Sequence, residues 1–274
     1  MCSSDLGLLE RFLERVGEPD RLVANGDYSC DTAFVGLADD AAFGSATACL
    51  TRLRQRFGER LSAVYGDHEL GKVSLFGGAG GLRLASWHRA RNDLALPPFW
   101  EVREGRYVLL GVVSSLVALP VFEPETLVPE REEWWRLREA HLDQARRAFG
   151  GLRPDDRVVV FCHDPTALPF LWECDEVRRR IGQLEFTIIG HLHTPIILFA
   201  SRFLAGMPPV RFLGNSLRRV SQALHDARLW RPFKVRLCPS LAGSELLKDG
   251  GYGRLELDPA GCEPARWQVC PLPR

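Results

Sequence analysis

Phe186-Thr187-Ile188-Ile189-Gly190-His191-Leu192-His193 is the stretch from which the fold is read. The first four residues are β-branched or aromatic, the composition of a buried strand. Gly190 lets the backbone turn sharply where the strand ends. His191 and His193 then stand two apart, and residues two apart on extended backbone point the same way. Two imidazoles converging at a strand end suit a transition metal. Taken alone, the pair reads equally well as two hydrogen-bonded loop histidines, so the decision lies elsewhere in the chain.

Three other strand-like runs end in the same manner. Residues 21–25 precede Gly26-Asp27, residues 61–65 precede Gly66-Asp67-His68-Glu69, and Arg157–Cys162 precedes His163. Helical patterns separate most of them: residues 41–57 carry Leu50, Leu53 and Phe57, and residues 129–149 carry Trp135, Leu142 and Phe149 on one face. A further helix is expected near residues 173–181. Strands separated by helices predict an α/β fold with a parallel or mixed sheet. Ligands of such sheets gather outside the carboxyl ends of the strands. Four coincidences of acid or imidazole at those ends favour a metal site over chance.

The remaining patterns fill in the frame. Leu8, Leu9, Phe12, Leu13 and Val16 form an opening helix closed by Gly17 and Pro19. Residues 99–102 and 107–116 read as a hairpin, residues 208–213 as a further strand, and residues 233–237, 253–257 and 266–269 as short terminal strands. Gly77-Gly78-Ala79-Gly80-Gly81 lacks the following Gly-Lys-Ser/Thr of a phosphate loop and is read as a plain loop. His88, His141 and His225 read as packed or surface groups, and Cys162 as a buried strand thiol.

Composition bounds the rest. The 274 residues are 46% hydrophobic and 26% charged, enough for a sizeable core and compatible with a single domain over residues 1–274. Lys+Arg and Asp+Glu are 35 each, so the chain has no global nucleic-acid signature. No apolar run approaches the roughly 18 residues of a membrane span. Eight cysteines without a C-x-x-C pair predict reduced thiols and a cytoplasmic setting. Oligomeric state is not legible. Met1-Cys2-Ser3-Ser4-Asp5-Leu6 is what a common sequencing adapter encodes, so residues 1–6 are read as an assembly scar, with the natural gene expected to begin upstream.

Gly26-Asp27, Gly66-Asp67-His68-Glu69, His163 and Gly190-His191-Leu192-His193 resemble, in order, the motif set of the calcineurin-like metallophosphoesterases. The resemblance spans residues 21–195, about two-thirds of the chain. Gly214-Asn215-Ser216-Leu217 is similar to a Gly-Ser element that often follows. The resemblance implies a four-layer α/β/β/α sandwich with mixed sheets, its first strand missing here, and residues 196–274 supplying terminal strands and substrate-shaping loops. It implies two divalent transition metals (Mn, Fe, Zn or Co), with Asp27 bridging both. Asp67, His163 and His191 would hold the second metal, and His193 with an Asp-x-His pair the first. The reaction implied is hydrolysis of a small-molecule phosphomonoester or phosphodiester by a metal-bridging hydroxide. His68 would be the acid that protonates the leaving oxygen, oriented by Glu69.

There are two departures from that pattern. Asp67 stands where the family has Asn, which adds a negative charge. The Asp-x-His motif is missing: Asp5-Leu6-Gly7 mimics it, but Gly7 supplies no ligand and no strand precedes Asp5. The expectation for this chain is therefore nearer one tightly bound ion than two. The competing readings are a non-catalytic binding scaffold of the same fold and a single-metal inactive fragment. Retention of His68 and five ligand positions favours the enzyme for the intact gene, and the single-metal reading describes this chain if the truncation is real and uncompensated. The pocket is expected to be shaped by residues 71–98 and 202–239.

Overall fold

The computed structural model describes residues 3–29, 34–71, 80–191, 227–241 and 250–272. His193, His225, the strand expected at residues 208–213, the Gly214-Asn215-Ser216-Leu217 element and Gly77-Gly78-Ala79 lie outside those residues.

The first half of the chain builds a small parallel pair of strands and its helical cover. Helix α1 (Ser3–Arg15) leads to β1 (Leu22–Ala24), then α2 (Asp40–Phe57) and β2 (Leu61–Ala63). Strands β1 and β2 are parallel, with Leu22 opposite Leu61 and Ala24 opposite Ala63. Asp39 caps α2, its side chain accepting from the N–H groups of Ala41 and Ala42. Asp5 falls within α1 rather than at a strand end. Two short helices follow, α3 (Asp67–Leu70) and α4 (Leu84–His88), the latter running into a π-helical turn at Arg89–Asp93.

The second half builds a five-stranded mixed sheet. It contains β3 (Trp100–Glu104), β4 (Tyr107–Val112), β5 (Arg157–Cys162), β6 (Leu184–Ile189) and β7 (Val235–Leu237), adjacent in that order. The β3–β4 hairpin is antiparallel and every other pair is parallel. Helices α5 (Ser114–Val117), α6 (Leu119–Phe122) and α7 (Arg131–Gly150) cross from β4 to β5, and α8 (Leu168–Glu173) and α9 (Asp175–Arg180) cross from β5 to β6. A terminal antiparallel pair, β8 (Gly251–Glu256) and β9 (Arg266–Pro271), closes the order.

Three sequence expectations shift. The hairpin's second strand stops at Val112, because residues 114–117 turn into α5 and bury Leu116 and Val117. The helix expected near residues 173–181 runs over Asp175–Arg180 as α9, its start set by the extended backbone of Cys174, which ends the preceding α8 at Glu173. On α7 the indole at the core is Trp134, fully buried, whereas Trp135 is only partly so.

Alternation along the five-stranded sheet gives it two apolar faces. Val108, Leu110, Val158 and Val160 pack with Leu142, Phe149, Leu168 and Val177 of α7, α8 and α9. Tyr107, Leu109, Val159, Phe161 and Ile188 face the other way and pack with Val23, Val64, Leu255 and Trp267, which brings β1–β2 and β8–β9 against that face. Trp100 Nε1–H donates to Ala63 O at 2.9 Å, a direct link between the sheets. Beyond β1–β2, Leu22 and Leu61 pack with Leu53 and Phe57 of α2 and Leu9 and Phe12 of α1. The result is α/β throughout, with strand ends from two sheets brought to one place. Among the described residues no helix is long and apolar enough to cross a membrane.

Candidate metal centre

Asp27, Asp67, His163 and His191 each offer a ligand atom, and these atoms all lie within 4.8 Å of one another. Asp27 and Asp67 follow β1 and β2, and His163 and His191 follow β5 and β6. Four of the five ligand positions expected from the sequence therefore converge; the fifth, His193, lies outside the described residues.

Close approach of the strand ends accounts for the glycines before the acids. Gly26 has φ +91°, and a Cβ there would sit 2.6 Å from Gly66 Cα and 2.7 Å from His163 Nδ1. A Cβ on Gly66 would overlap Asp27 Oδ1 and the Asp27 backbone nitrogen. Asp27 itself is left-handed, φ +58°, which costs a non-glycine residue about 1–3 kcal/mol. Glu69 offsets that cost. Fully buried, it accepts from Asp27 N (2.9 Å), Tyr28 N (2.8 Å) and Gly66 N (2.7 Å), fastening both acid-bearing turns together.

The expectation that Glu69 orients His68 is thereby corrected: both its oxygens are used on backbone N–H groups. His68 sits beside Asp27 instead. Its backbone N–H donates to Asp27 Oδ1 at 3.1 Å, and its Nε2 lies 3.9 Å from Asp27 Oδ2. His68 Nδ1 is buried without a hydrogen-bond partner among the described residues.

His163 is 1% exposed and its Nδ1–H donates to Asn25 O at 2.7 Å. A carbonyl can only accept, so that bond leaves Nε2 as the bare nitrogen of the neutral ring. Nε2 lies 3.1 Å from Asp27 Oδ2 and 3.2 Å from Asp67 Oδ1. It makes no well-aligned hydrogen bond there, a buried polar atom left open toward two carboxylates. His191 Nδ1 lies 3.2 Å from Asp67 Oδ1. The rings of His163 and His191 meet edge to face, centroids 5.4 Å apart.

The electrostatics follow from burying these groups together. Burial alone would depress the His163 imidazole, but the Asp27 and Asp67 carboxylates push it well above its ordinary value. His191 is raised likewise, Asp67 and Asp164 outweighing burial. Burial would raise the Asp27 carboxyl, but the adjacent His163 holds it below the ordinary carboxylate value. Burial and the Asp27 charge push Glu69 up to about 7. Two carboxylates facing two imidazoles form a donor set that protons and a divalent cation compete for.

The set fits a transition cation. It offers two oxygens and two nitrogens, it includes an orphaned buried Nε2, and Asn25 O fixes the tautomer of one ring from behind. Asn25 also donates through Nδ2 to Ile188 O at 3.3 Å, tying the end of β1 to β6. Neither Asn25 nor Asp164 stood out in the sequence. Asp164 could have: an acid before Pro165 at a helical turn reads as a cap beside a ligand position. Cys162 behaves as expected, a fully buried thiol pushed up by burial and donating to Asp164 O. His88 is exposed, as expected of a surface group, and His141 is packed. Comparison with protein-family models and with curated proteins finds no match.

Proposed function

We propose that this chain is a metal-dependent phosphoesterase acting on a small-molecule phosphomonoester or phosphodiester. One observation carries the reading: Asp27, Asp67, His163 and His191 converge at strand ends of two packed sheets, with the His68 imidazole beside Asp27. The order of helices, β1–β2, five-stranded sheet and helices supports the four-layer sandwich that the motif order implies.

Asp27, Asp67, His163 and His191 would hold a divalent transition cation, with His193 assigned to a second. When bound, such cations supply Lewis acidity toward phosphate oxygens and acidify water. The chain's own residues do the rest. Asp27 has one oxygen toward His163 and the other on the His68 N–H, so it couples the ligand cluster to the candidate acid. His68 would deliver a proton from its ring to the leaving oxygen. Glu69 and Asn25 keep the ligands in register, Glu69 by accepting from Asp27 N and Gly66 N and Asn25 by its carbonyl on His163 Nδ1–H.

The test is hydrolysis of bis-p-nitrophenyl phosphate and p-nitrophenyl phosphate by the purified chain with Mn²⁺. The expected result is turnover that chelation abolishes. In His68→Ala it falls by about 10²–10⁴-fold, the usual contribution of a general acid, with Mn²⁺ affinity retained. Tight metal binding without hydrolysis of either ester would favour the scaffold reading instead.

A further inference from the structure

A cleft of about 320 Å³ lies between α7 and the α8–α9 segment, on the helical side of the five-stranded sheet. Arg138 and Arg146 line it from α7, and Glu173, Asp175 and Glu176 from α8 and α9, with Leu142 and Phe170 adding apolar surface. Among the described residues no ion pair crosses it. Arg138 pairs with Glu139, and Arg146 with Asp143 and Glu139, all on α7. Asp175 pairs with Arg178 and Glu176 with Arg179, both within α9. Glu173 is exposed, and its carboxylate has no partner among the described residues.

Arg138 is the best-fixed group in the cleft. It is 8% exposed, and its guanidinium lies over the rings of Trp135 at 5.3 Å and Phe170 at 5.8 Å. Nε–H donates to Val117 O at 3.1 Å and Nη1 to Glu139 Oε1 at 2.9 Å. Nη2 has no hydrogen-bond partner among the described residues, which leaves its donors to the cleft that Arg138 lines. A buried guanidinium held in one plane, with donors to spare, is a preformed carboxylate site.

The charges on the two walls select the ligand. A simple anion on Arg138 would face the carboxylates opposite, and a simple cation on Glu173 would face the two guanidinium groups. A molecule that carries both charges matches both walls. At about 30 Å³ per water the cleft holds roughly ten waters, and so a ligand of about that many non-hydrogen atoms. We propose that this cleft binds a free α-amino acid with an apolar side chain. Its carboxylate sits on Arg138 Nη2, its ammonium on Glu173, and its side chain against Leu142 and Phe170. The proposal shares no residue with the cluster of Asp27, Asp67, His163 and His191 and does not rest on the metal reading.

The test is titration of the full chain with L-leucine, by calorimetry and by ¹H–¹⁵N spectra, with a chelator present so that no metal-bound amino acid is counted. The expected Kd is about 1 mM or tighter, the scale of a ligand of roughly ten atoms, with amide shifts at Phe170 and Cys174. Isocaproate lacks the ammonium and isoamylamine the carboxylate, and each should bind at least about tenfold more weakly. Glu173→Gln removes the rim charge without taking a partner from the fold, and should raise the L-leucine Kd about tenfold. Arg138→Met keeps an unbranched stem between the two rings and should abolish binding. If Arg138→Met fails to fold, Glu173→Gln and the two analogues decide. Absence of L-leucine binding overturns the proposal. An analogue that binds as tightly as L-leucine, or an affinity unchanged in Glu173→Gln, overturns it as well.

Discussion

Gly26→Ala is the perturbation whose consequence can be worked most fully from the structure. An added Cβ would lie 2.6 Å from Gly66 Cα and Gly66 N, and 2.7 Å from His163 Nδ1. Ordinary carbon contacts begin near about 3.5 Å, so each neighbour must retreat by roughly 0.8–0.9 Å. Two of those atoms are backbone, and the third is the nitrogen that holds His163 against Asn25 O. The φ of +91° adds about 1–2 kcal/mol of left-handed strain to an overpacking cost of about 1–3 kcal/mol. The sum is about 2–5 kcal/mol. At about 2.1 cal/mol/K per residue, that lowers Tm by roughly 3–9 °C. Metal sites tolerate displacements of only about 0.5 Å, so Mn²⁺ affinity should fall at least tenfold by calorimetry. Gly44→Ala is the control: it lies exposed in α2 with nothing near a Cβ. It should stabilise the chain by about 0.5–1 kcal/mol and leave Mn²⁺ affinity unchanged. A Gly26→Ala chain that melts and binds Mn²⁺ like the unmodified one would refute the convergence of strand ends described here.

Other outcomes follow from the same structure. Glu69→Gln keeps one oxygen for two of the three N–H donors but sets an NH₂ group against the third. It should cost about 1–3 kcal/mol in urea unfolding and speed hydrogen exchange at Tyr28 N if that donor is the one left unpaired. Wild-type stability in that variant would show that Glu69 is not the clasp. His141 is buried, accepts from Val113 N, and is pushed by burial down to about 4. Its folded value is the lower one, so the unfolded chain binds more protons between about pH 6.5 and 4, and stability falls as pH falls through that window. The loss approaches about 3 kcal/mol, and His141→Gln should flatten it; parallel profiles for the two proteins would contradict the assignment.

What could be read from the sequence was whatever depends on local pattern. The β-branched run Arg157–Cys162 is a strand with those bounds, and the Gly-Asp and Gly-His pairs stand at strand ends as their order implied. Such signals survive because alternation and turn chemistry act within a few residues. What could not be read depends on contacts between distant segments. Glu69 resembles a partner for the adjacent His68, yet it bonds Asp27 and Tyr28 some forty residues earlier. Asn25 acts through its carbonyl, which no side-chain pattern reveals. The extended backbone at Cys174 separates α8 from α9 at a residue that is neither Gly nor Pro, so no breaker marks it. The division of strands between a two-stranded and a five-stranded sheet follows from which faces pack, and periodicity alone does not specify that.

The central claim is that Asp27, Asp67, His163 and His191 together hold a divalent cation. An anomalous difference map from crystals grown with Mn²⁺ tests it most directly. The account predicts a peak within about 2.5 Å of a side-chain oxygen or nitrogen of all four residues, with His163 reaching it through Nε2 and His191 through Nδ1. A map with no peak there, or one that reaches His191 through Nε2, would contradict it.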